Sequence, residues 1–194
     1  IKLHNLKSLK VLINEFGGKA AALNWLKHQT RLYIGQFKNY TNLNFNKINR
    51  VVFFCRGNIN RSAVAETIFK LHSNFAHDSF GLITEKNFPP SVETQRWARK
   101  HDISILSHKT KRLEDFEFHK GDLLVAFEPE HLGHIQKHTQ LSENLQYTLI
   151  GLWSTKRWAY IHDPVARPEE YFDKCFNIIQ NATKNLAKML QEYK

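Results

Sequence analysis

The sequence predicts an α/β fold: a doubly wound, four-stranded parallel sheet with helices on both faces, preceded by an N-terminal helical extension. From about residue 50, short runs of β-branched and aromatic residues alternate with stretches of helical periodicity, as in a parallel sheet wrapped by helices. The basic charge is uneven, because residues 1–48 carry eight Lys and Arg against one acid, whereas the rest carries 20 against 17. We therefore expect residues 1–46 to form a basic helical extension and linker, and residues 47–194 to form the main domain.

Four apolar segments predict the strands, at residues 51–54, 79–83, 122–127 and 146–151. Helices are expected at residues 62–72 and 91–101, from residue 129, and from residue 168 to near the end. The last helix has the clearest pattern, since apolar residues recur along it at three- and four-residue steps. These residues are Phe172, Cys175, Ile179, Ala182, Leu186 and Met189.

The extension predicts two helices separated by Gly17-Gly18, and residues 39–46, rich in Asn and Thr, are typical of a linker. The second helix groups several apolar side chains near one face. These are Leu23, Leu26, Tyr33, Ile34 and Phe37. Two interpretations remain: a helical hairpin packed against the main domain or a second subunit, or a segment that docks on an anionic surface.

Residues 55–62, Cys-Arg-Gly-Asn-Ile-Asn-Arg-Ser, join the first strand to the first helix of the main domain. Cys55 lies at the carboxyl end of that strand, where parallel sheets bind ligands, and just before a helix N-terminus. Helix N-termini and nearby cations stabilise a thiolate, which is a strong nucleophile. The segment therefore predicts a catalytic loop with Cys55 as the attacking group.

The same loop has the residue types needed to hold a phosphate. Its backbone N–H groups can curl around an anion, and Gly57 and Asn58 tolerate the unusual dihedral angles of such a curl. Arg61, six residues after the cysteine, can bind two phosphate oxygens at once, and the Ser62 hydroxyl can donate to the thiolate. The predicted phosphate-binding residues are Arg56, Gly57, Asn58, Ile59, Asn60 and Ser62.

Departure of the alcohol from a phosphomonoester needs a proton, which an Asp or Glu beside the leaving oxygen supplies. Asp163 is the candidate, because it follows the fourth strand and precedes the last helix, and Pro164 disfavours helix at that position. Cys55, Arg61 and Asp163 are therefore the predicted catalytic residues of a cysteine-dependent phosphatase.

From Arg50 onward, the chain resembles the low-molecular-weight protein tyrosine phosphatases, in particular the bacterial type. The resemblance rests on a series of motifs that occur in the same order and with the same spacing. They are residues 51–62 with Ala65-Glu66 following, Ser79-Phe80-Gly81, Ile103-Ser104, Ser107-His108-Lys109, residues 124–128 and Asp163-Pro164.

The resemblance implies a cysteinyl-phosphate intermediate, with Asp163 acting as acid in the first step and as base toward water in the second. It also implies a hydrogen-bond network of Asn58, Ser62, Ser79 and His108 that shapes the loop. It implies neither a metal nor a cofactor. The implied substrate is a phosphotyrosine protein, with a bacterial tyrosine kinase of polysaccharide export as one partner and phosphate or a similar oxyanion in the loop.

Three positions depart from the family. Asn60 stands where many members have a second cysteine in the loop, and Arg56 stands where an apolar pocket residue is usual. Val165-Ala166-Arg167 follow Asp163-Pro164, where many members carry tyrosines that wall the ring of phosphotyrosine. Four other aromatic residues are candidates for this wall. They are Phe88, Trp153, Trp158 and Tyr160.

Other activities on this fold stay open: a phosphatase of another phosphomonoester or of phosphoarginine, or a weakly active phosphate-binding regulatory module. Phosphoarginine phosphatases typically carry Thr where Ile59 stands, so Ile59 favours the tyrosine type. Arsenate reductases need additional cysteines, and the only other cysteine, Cys175, falls on the apolar stripe of the last helix. That activity is therefore disfavoured.

Two cysteines 120 positions apart predict no disulfide framework and fit a reducing compartment, so a cytoplasmic location is expected. No membrane span is expected, since no run of 18 apolar residues occurs, and no signal peptide is expected, since no charged-then-apolar segment opens the sequence. The net charge of +10 favours an anionic partner, but nucleic acid is not expected. His131, His134 and His138 are expected to be solvated side chains of a helix rather than metal ligands.

Overall fold

The computed structural model describes residues 13–138 and 145–193. Within these residues the chain forms a four-stranded parallel sheet in the order β2-β1-β3-β4, which confirms the predicted α/β fold. The strands are β1 Arg50–Cys55, β2 Ala76–Gly81, β3 Asp122–Ala126 and β4 Gln146–Leu149.

The α-helices of the described residues lie before, between and after the strands. They are α1 Lys19–Tyr33, α2 Arg61–His72, α3 Val92–Lys100, α4 Pro129–His138 and α5 Glu169–Glu192. Short 3₁₀ turns occur at Lys38–Tyr40, Phe45–Lys47, Leu113–Asp115 and Ile150–Trp153. In the part of the chain that the structure describes, no helix has the length and apolar character needed to cross a membrane.

Side chains of β1 alternate between two apolar layers, one on each face of the sheet. Val51 and Phe53 contribute to the layer that contains α2, α3 and α5. Val52 and Phe54 contribute to the opposite layer, together with Leu132 of α4. Because both faces are covered, the strands are apolar at successive positions rather than at every second one.

The strands β2 and β4 differ most from the sequence prediction. β2 begins at Ala76 rather than at residue 79, because Ala76 already pairs in register with Arg50 of β1. β4 ends at Leu149, where the 3₁₀ turn Ile150–Trp153 begins. Backbone pairing to a neighbouring strand sets these limits, and apolarity alone does not report it.

Helix α1 packs against the main domain through a face of mixed polarity. His28 is fully buried, and its Nε2 lies 2.8 Å from Oε1 of Glu130 at the start of α4. Gln29 donates through Nε2 to the carbonyl oxygen of Arg157 at 3.0 Å. Beyond the helix, Phe37 is buried in the second apolar layer. These contacts match the first interpretation of the extension, while the domain boundary at residue 46 stays a prediction.

The apolar residues predicted to share a face of the second helix lie mostly on its outer side. Leu23 and Leu26 are 68% and 57% exposed, and Tyr33 and Ile34 are 82% and 66% exposed. Only Phe37, which lies beyond the helix, is buried. The inner side is mixed, since it includes the buried Ala21 and also Trp25, which packs on Trp158. His28 and Gln29 on the same side find hydrogen-bond partners on the main domain, which removes the cost of burying them. The first predicted helix of the extension lies mostly in residues 1–12, outside the described residues.

Replacement of Phe37 by Ala is expected to lower the free energy of unfolding by about 3 kcal/mol, because the ring is 2% exposed and packs on the sheet. The matched variant Tyr33→Ala removes an exposed ring and is expected to change stability by less than about 0.5 kcal/mol. Urea unfolding of the full chain measures both values. Equal, small effects of the two changes would contradict the packing of the extension on the sheet.

Candidate active site

The chain turns sharply between the end of β1 at Cys55 and the start of α2 at Arg61. Cys55 is buried, and its Sγ lies 3.1 Å from Oγ of Ser62. Within the described residues, the amides of residues 57–60 donate no hydrogen bond to another protein group. Successive unpaired amides at a helix N-terminus form a binding site for an anion.

The buried Asn58 stabilises the curved loop between Cys55 and Arg61. Its φ of 53° lies in the left-handed region, which Asn tolerates better than most residues. The fully buried side chain donates through Nδ2 to Oγ of Ser62 and to Oγ of Ser79, each at 2.9 Å. Its Oδ1 accepts from the backbone N–H of Lys111 at 3.0 Å. The loop is therefore tied to α2, to β2 and to the segment after α3.

A second tier of contacts supports Asn58. His108 donates through Nε2 to the carbonyl oxygen of Asn58 at 2.7 Å, and its Nδ1 lies 3.2 Å from Oε2 of Glu66. Ser79 donates through Oγ to the same Glu66 oxygen at 2.6 Å. Burial raises the pKa of Glu66, but the hydrogen bonds from His108 and Ser79 outweigh it, so the pKa lies below its ordinary value. Glu66 is therefore ionised and anchors the network.

Arg61 is only 1% exposed and is held by groups from two later segments. Its Nη1 donates to Oε1 of Glu128 and, at 2.8 Å, to the carbonyl oxygen of Ile161. Its Nη2 donates to Oδ2 of Asp163 at 2.8 Å. Burial lowers the pKa of Arg61, yet the carboxylates of Glu128 and Asp163 outweigh this effect and raise it, so the side chain is a fixed cation.

The Nε of Arg61 is buried and has no hydrogen-bond partner within the described residues. A buried N–H without a partner is costly, and an oxygen of a bound oxyanion would satisfy it. Nε and Nη2 form the edge of the guanidinium that typically binds two oxygens of one anion. The residues of this loop therefore fit a phosphate group.

Cys55 and Asp163 line one cavity of about 390 Å³ above the loop. The cavity is bordered mostly by aliphatic and charged side chains. The lining residues are Cys55, Arg56, Gly57, Ile59, Asn60, Ile83, His162, Asp163, Val165 and Arg167. The sequence-predicted catalytic residues therefore meet at one place, since Arg61 contacts Asp163 directly beneath this lining.

None of the four candidate aromatic residues lines this cavity. Trp158 packs instead on Trp25 of α1, with ring centroids 5.6 Å apart. Tyr160 is 4% exposed and hydrogen-bonds to Nδ1 of His162 at 2.7 Å. The walls are formed instead by Ile83 and Val165, with His162 as a ring on one side.

Asn60 serves as a structural tie where many family members have a cysteine. It is 3% exposed, and its Oδ1 accepts from the hydroxyls of Ser91 and Thr94 at 2.6 and 2.7 Å. The Ser91 hydroxyl also caps α3 by accepting from the N–H of Thr94 at 3.1 Å. The side chain that replaces a thiol here joins the loop to α3.

His131 differs from its prediction as a solvated residue. Its side chain is 12% exposed, and burial together with the charge of Arg61 lowers its pKa to about 4. The side chain of His138 lies outside the described residues. Among the residues that the structure describes, no group of His, Cys, Asp and Glu is arranged to hold a metal ion.

A sequence model described as low molecular weight phosphotyrosine protein phosphatase matches residues 50–194. The chain belongs to this family. It is 28% identical over 167 residues to a low molecular weight phosphotyrosine protein phosphatase of Dictyostelium discoideum, covering 73% of this chain and 93% of that protein. It is 24% identical over 147 residues to the protein-tyrosine-phosphatase Etp of Escherichia coli K12, covering 74% and 96%.

Solved structures of phosphatases have the same fold. The tyrosine phosphatase Wzb of Escherichia coli K30, in complex with sulphate, superposes with a TM-score of 0.63 at 23% identity, covering 74% of this chain and 99% of that one. The YwlE arginine phosphatase of Geobacillus stearothermophilus superposes with a TM-score of 0.65 at 19% identity, covering 75% and 94%. At these identities the likeness concerns the fold alone.

Sequence reasoning assigned no role to several groups that the structure brings to this family site. Glu128 and the carbonyl oxygen of Ile161 hold Arg61, Glu66 anchors the loop network, and Lys111 donates its amide to Asn58. The sequence contained an indication of the role of Glu128, because an acidic residue directly after a buried parallel strand lies at the ligand-binding edge of the sheet. The Ile161 and Lys111 contacts are made by backbone atoms, which no residue type reveals.

Replacement of Asn58 by Ala is expected to lower the free energy of unfolding by about 3 kcal/mol, because the Lys111 amide loses its acceptor and Ser62 and Ser79 lose the amide group that joins them. Asn58→Gly loses the same side-chain bonds but tolerates the positive φ, so it is expected to be about 1 kcal/mol less destabilising. Urea unfolding measures both. Identical losses would show that the left-handed backbone at this position costs nothing.

Proposed function

We propose that this phosphatase hydrolyses phosphotyrosine in protein substrates through a cysteinyl-phosphate intermediate on Cys55. The observation that carries the proposal is the meeting in one loop of a buried thiol with four amides and an arginine Nε that have no hydrogen-bond partner among the described residues. A thiol supplies the nucleophile, and the amides and guanidinium match the oxygens of a phosphoryl group. Membership of the phosphotyrosine phosphatase family supports the same reaction.

In the first step, the thiolate of Cys55 attacks phosphorus and forms the sulfur–phosphorus bond. The bond from phosphorus to the substrate oxygen breaks, and Asp163 gives its proton to the departing phenolate. The Ser62 hydroxyl, 3.1 Å from Sγ, is placed to donate to the thiolate before the attack and again when it departs. The charge on the phosphoryl oxygens is stabilised by Arg61 and the loop amides throughout.

In the second step, a water molecule attacks the phosphorus of the cysteinyl-phosphate. Asp163, now a carboxylate, accepts the proton of that water, and the sulfur–phosphorus bond breaks to release inorganic phosphate and the thiolate. The same carboxyl thus acts first as acid and then as base. Its position, 2.8 Å from Arg61 and 28% exposed, puts it between the loop and solvent.

The pre-set position of Arg61 is the main electrostatic feature of this mechanism. Glu128 and the Ile161 carbonyl hold the Nη1 side of the guanidinium, so little reorganisation is needed when charge moves on the phosphoryl group. We propose Asn58, Ser62, Ser79 and His108 as positioning residues that keep the loop curled. We propose no metal or cofactor in the reaction.

Phosphoarginine is a second candidate substrate, favoured by the aliphatic cavity walls of Ile83 and Val165. A phosphotyrosine ring, by contrast, would contact His162 as the ring nearest to the cavity. A panel of phosphotyrosine, phosphoserine and phosphoarginine peptides separates these substrates. Binding of phosphate without turnover on any of them would favour a regulatory module instead.

Residues 47–194 are proposed as the catalytic unit, with residues 1–46 appended to it. A bacterial tyrosine kinase of polysaccharide export is proposed as one substrate, by analogy with bacterial relatives named protein-tyrosine-phosphatases. We propose a reducing compartment such as the cytoplasm for the reaction, because Cys55 must stay a thiol to act.

Cys55→Ser is expected to abolish hydrolysis of nitrophenyl phosphate, because a serine hydroxyl is not ionised at neutral pH. Asp163→Asn is expected to reduce kcat by about 100-fold on an alkyl phosphate, whose leaving group needs the proton, and by about tenfold or less on nitrophenyl phosphate. Steady-state rates on both substrates measure the difference. Equal losses would remove Asp163 from the acid role, and activity in Cys55→Ser would remove Cys55 from the nucleophile role.

The mouth of the cavity carries two exposed arginines, Arg56 and Arg167, which form no ion pair within the described residues. We expect a preference for phosphopeptides with Asp or Glu beside the phosphotyrosine, because these side chains would face the two cations. The double variant Arg56→Leu with Arg167→Leu is expected to lower kcat/KM for such a peptide by about tenfold. Hydrolysis of a phosphotyrosine peptide with neutral flanking residues is expected to fall less, since it has no flanking charge to face the two cations.

The matched control is Arg99→Leu, since Arg99 is exposed on α3 and does not line the cavity. It is expected to leave the preference for acidic over neutral peptides unchanged. A double variant that hydrolyses acidic and neutral peptides in the wild-type ratio would contradict the role of the two arginines.

A further inference from the structure

The outer side of α1 carries an apolar stripe that no described residue covers. Leu23, Leu26 and Tyr33 are 68%, 57% and 82% exposed, and Ile34 at the C-cap is 66% exposed. The spacings of three, seven and eight residues put these side chains on one side of the helix. We name this set of four side chains the outer stripe of α1.

A basic surface surrounds the outer stripe. Lys19 and Lys27 lie one turn before and one turn after Leu23, both are exposed, and neither forms an ion pair within the described residues. No Asp or Glu occurs between residues 16 and 65 of the sequence. The stripe is therefore apolar, flanked by cations and without acidic neighbours in its own segment.

A second copy of the chain fits this surface poorly. An isologous dimer on α1 would bring Lys19 and Lys27 of both copies together, which is repulsive. Four side chains on one helix also offer much less than the roughly 800 Å² per partner of a stable interface. An anionic bilayer surface matches both the outer stripe and the lysines beside it. Its acyl chains take up the apolar side chains, and its acidic headgroups attract the lysines.

We propose that α1 docks this enzyme on an anionic lipid surface, with the outer stripe inserted at the headgroup level. The helix has 15 residues, a length of roughly 22 Å, which suits a helix lying along a surface. The inner side, with His28 bonded to Glu130 and Trp25 packed on Trp158, stays attached to the main domain and so holds that domain at the surface. The proposal does not depend on the catalytic assignment.

Docking through α1 would also keep the catalytic cavity close to the bilayer. The helix begins after Gly18, and a Cβ built on Gly18 would lie 3.5 Å from Nη1 of Arg167, which lines the cavity. The N-terminal end of α1 is thus at the rim of the cavity.

The test is flotation of the full chain with vesicles of phosphatidylcholine containing phosphatidylserine, compared with vesicles of phosphatidylcholine alone. We expect binding to the anionic vesicles, weakening as salt is added, and much weaker binding to the neutral ones. The double variant Leu23→Ser with Leu26→Ser is expected to lower binding at least about tenfold. Lys19→Gln with Lys27→Gln is expected to lower it about thirtyfold.

Matched controls change equally exposed residues on other elements. Leu71→Ser with Leu106→Ser removes two leucines that are 61% and 65% exposed, and Lys70→Gln with Lys86→Gln removes two exposed lysines. Both controls are expected to bind anionic vesicles as the wild type does. Hydrolysis of nitrophenyl phosphate is expected to be unchanged in all four variants, which verifies that they are folded.

Three results would overturn the proposal. The first is no flotation of the wild-type chain with anionic vesicles, and the second is equal flotation of the stripe variants and their controls. The third is a concentration-dependent dimer in sedimentation that is lost in Leu23→Ser with Leu26→Ser, which would assign the stripe to a second copy. Since each readout is binding or association, none of these results bears on the proposed reaction at Cys55.

Discussion

The buried guanidinium of Arg61 constrains the whole carboxyl edge of the sheet. A charge that is 1% exposed is tolerated only when it is paired and hydrogen-bonded, because the desolvation cost is otherwise several kcal/mol. Its partners come from two separate segments: Glu128 after β3, and the Ile161 carbonyl and Asp163 in the segment before α5. The segments that follow β1, β3 and β4 must therefore converge on one point. The cation that fits a phosphoryl group is also what assembles the site around it.

The interior of the site and its rim differ in how their side chains are held. Asn58, Ser62 and Ser79 are buried and joined by hydrogen bonds, and Ser79 also donates to the partly buried Glu66, so each group fixes the geometry of the others. The rim is exposed and shares few contacts, and its two cations, Arg56 and Arg167, form no ion pair within the described residues. Inside, even the side-chain oxygen of Asn60 has hydroxyl partners at the start of α3.

Helix α1 illustrates why hydrophobicity alone does not determine which side of a helix is buried. Its inner side includes His28 and Gln29, whose polar atoms find Glu130 and a backbone carbonyl on the main domain. Burying a polar group costs little free energy when the group is hydrogen-bonded afterwards. The available hydrogen-bond partners therefore matter more than the number of apolar side chains in deciding which side of the helix is buried. The leucines of the outer side are then left at the surface, where they become available to an external partner.

The sequence by itself determined the α/β class, the apolar pattern of α5 and the strand–loop–helix unit from β1 to α2. These features are local: periodicity and the residue types of one continuous segment decide them, which is why residues 55–62 could be predicted to bind phosphate. Tertiary structure alone decided that Glu128 and the Ile161 carbonyl hold Arg61. It also decided that no predicted aromatic residue lines the cavity, and that the outer stripe of α1 is exposed. Each of these depends on which distant groups meet across the sheet edge, and no spacing along the chain encodes that meeting.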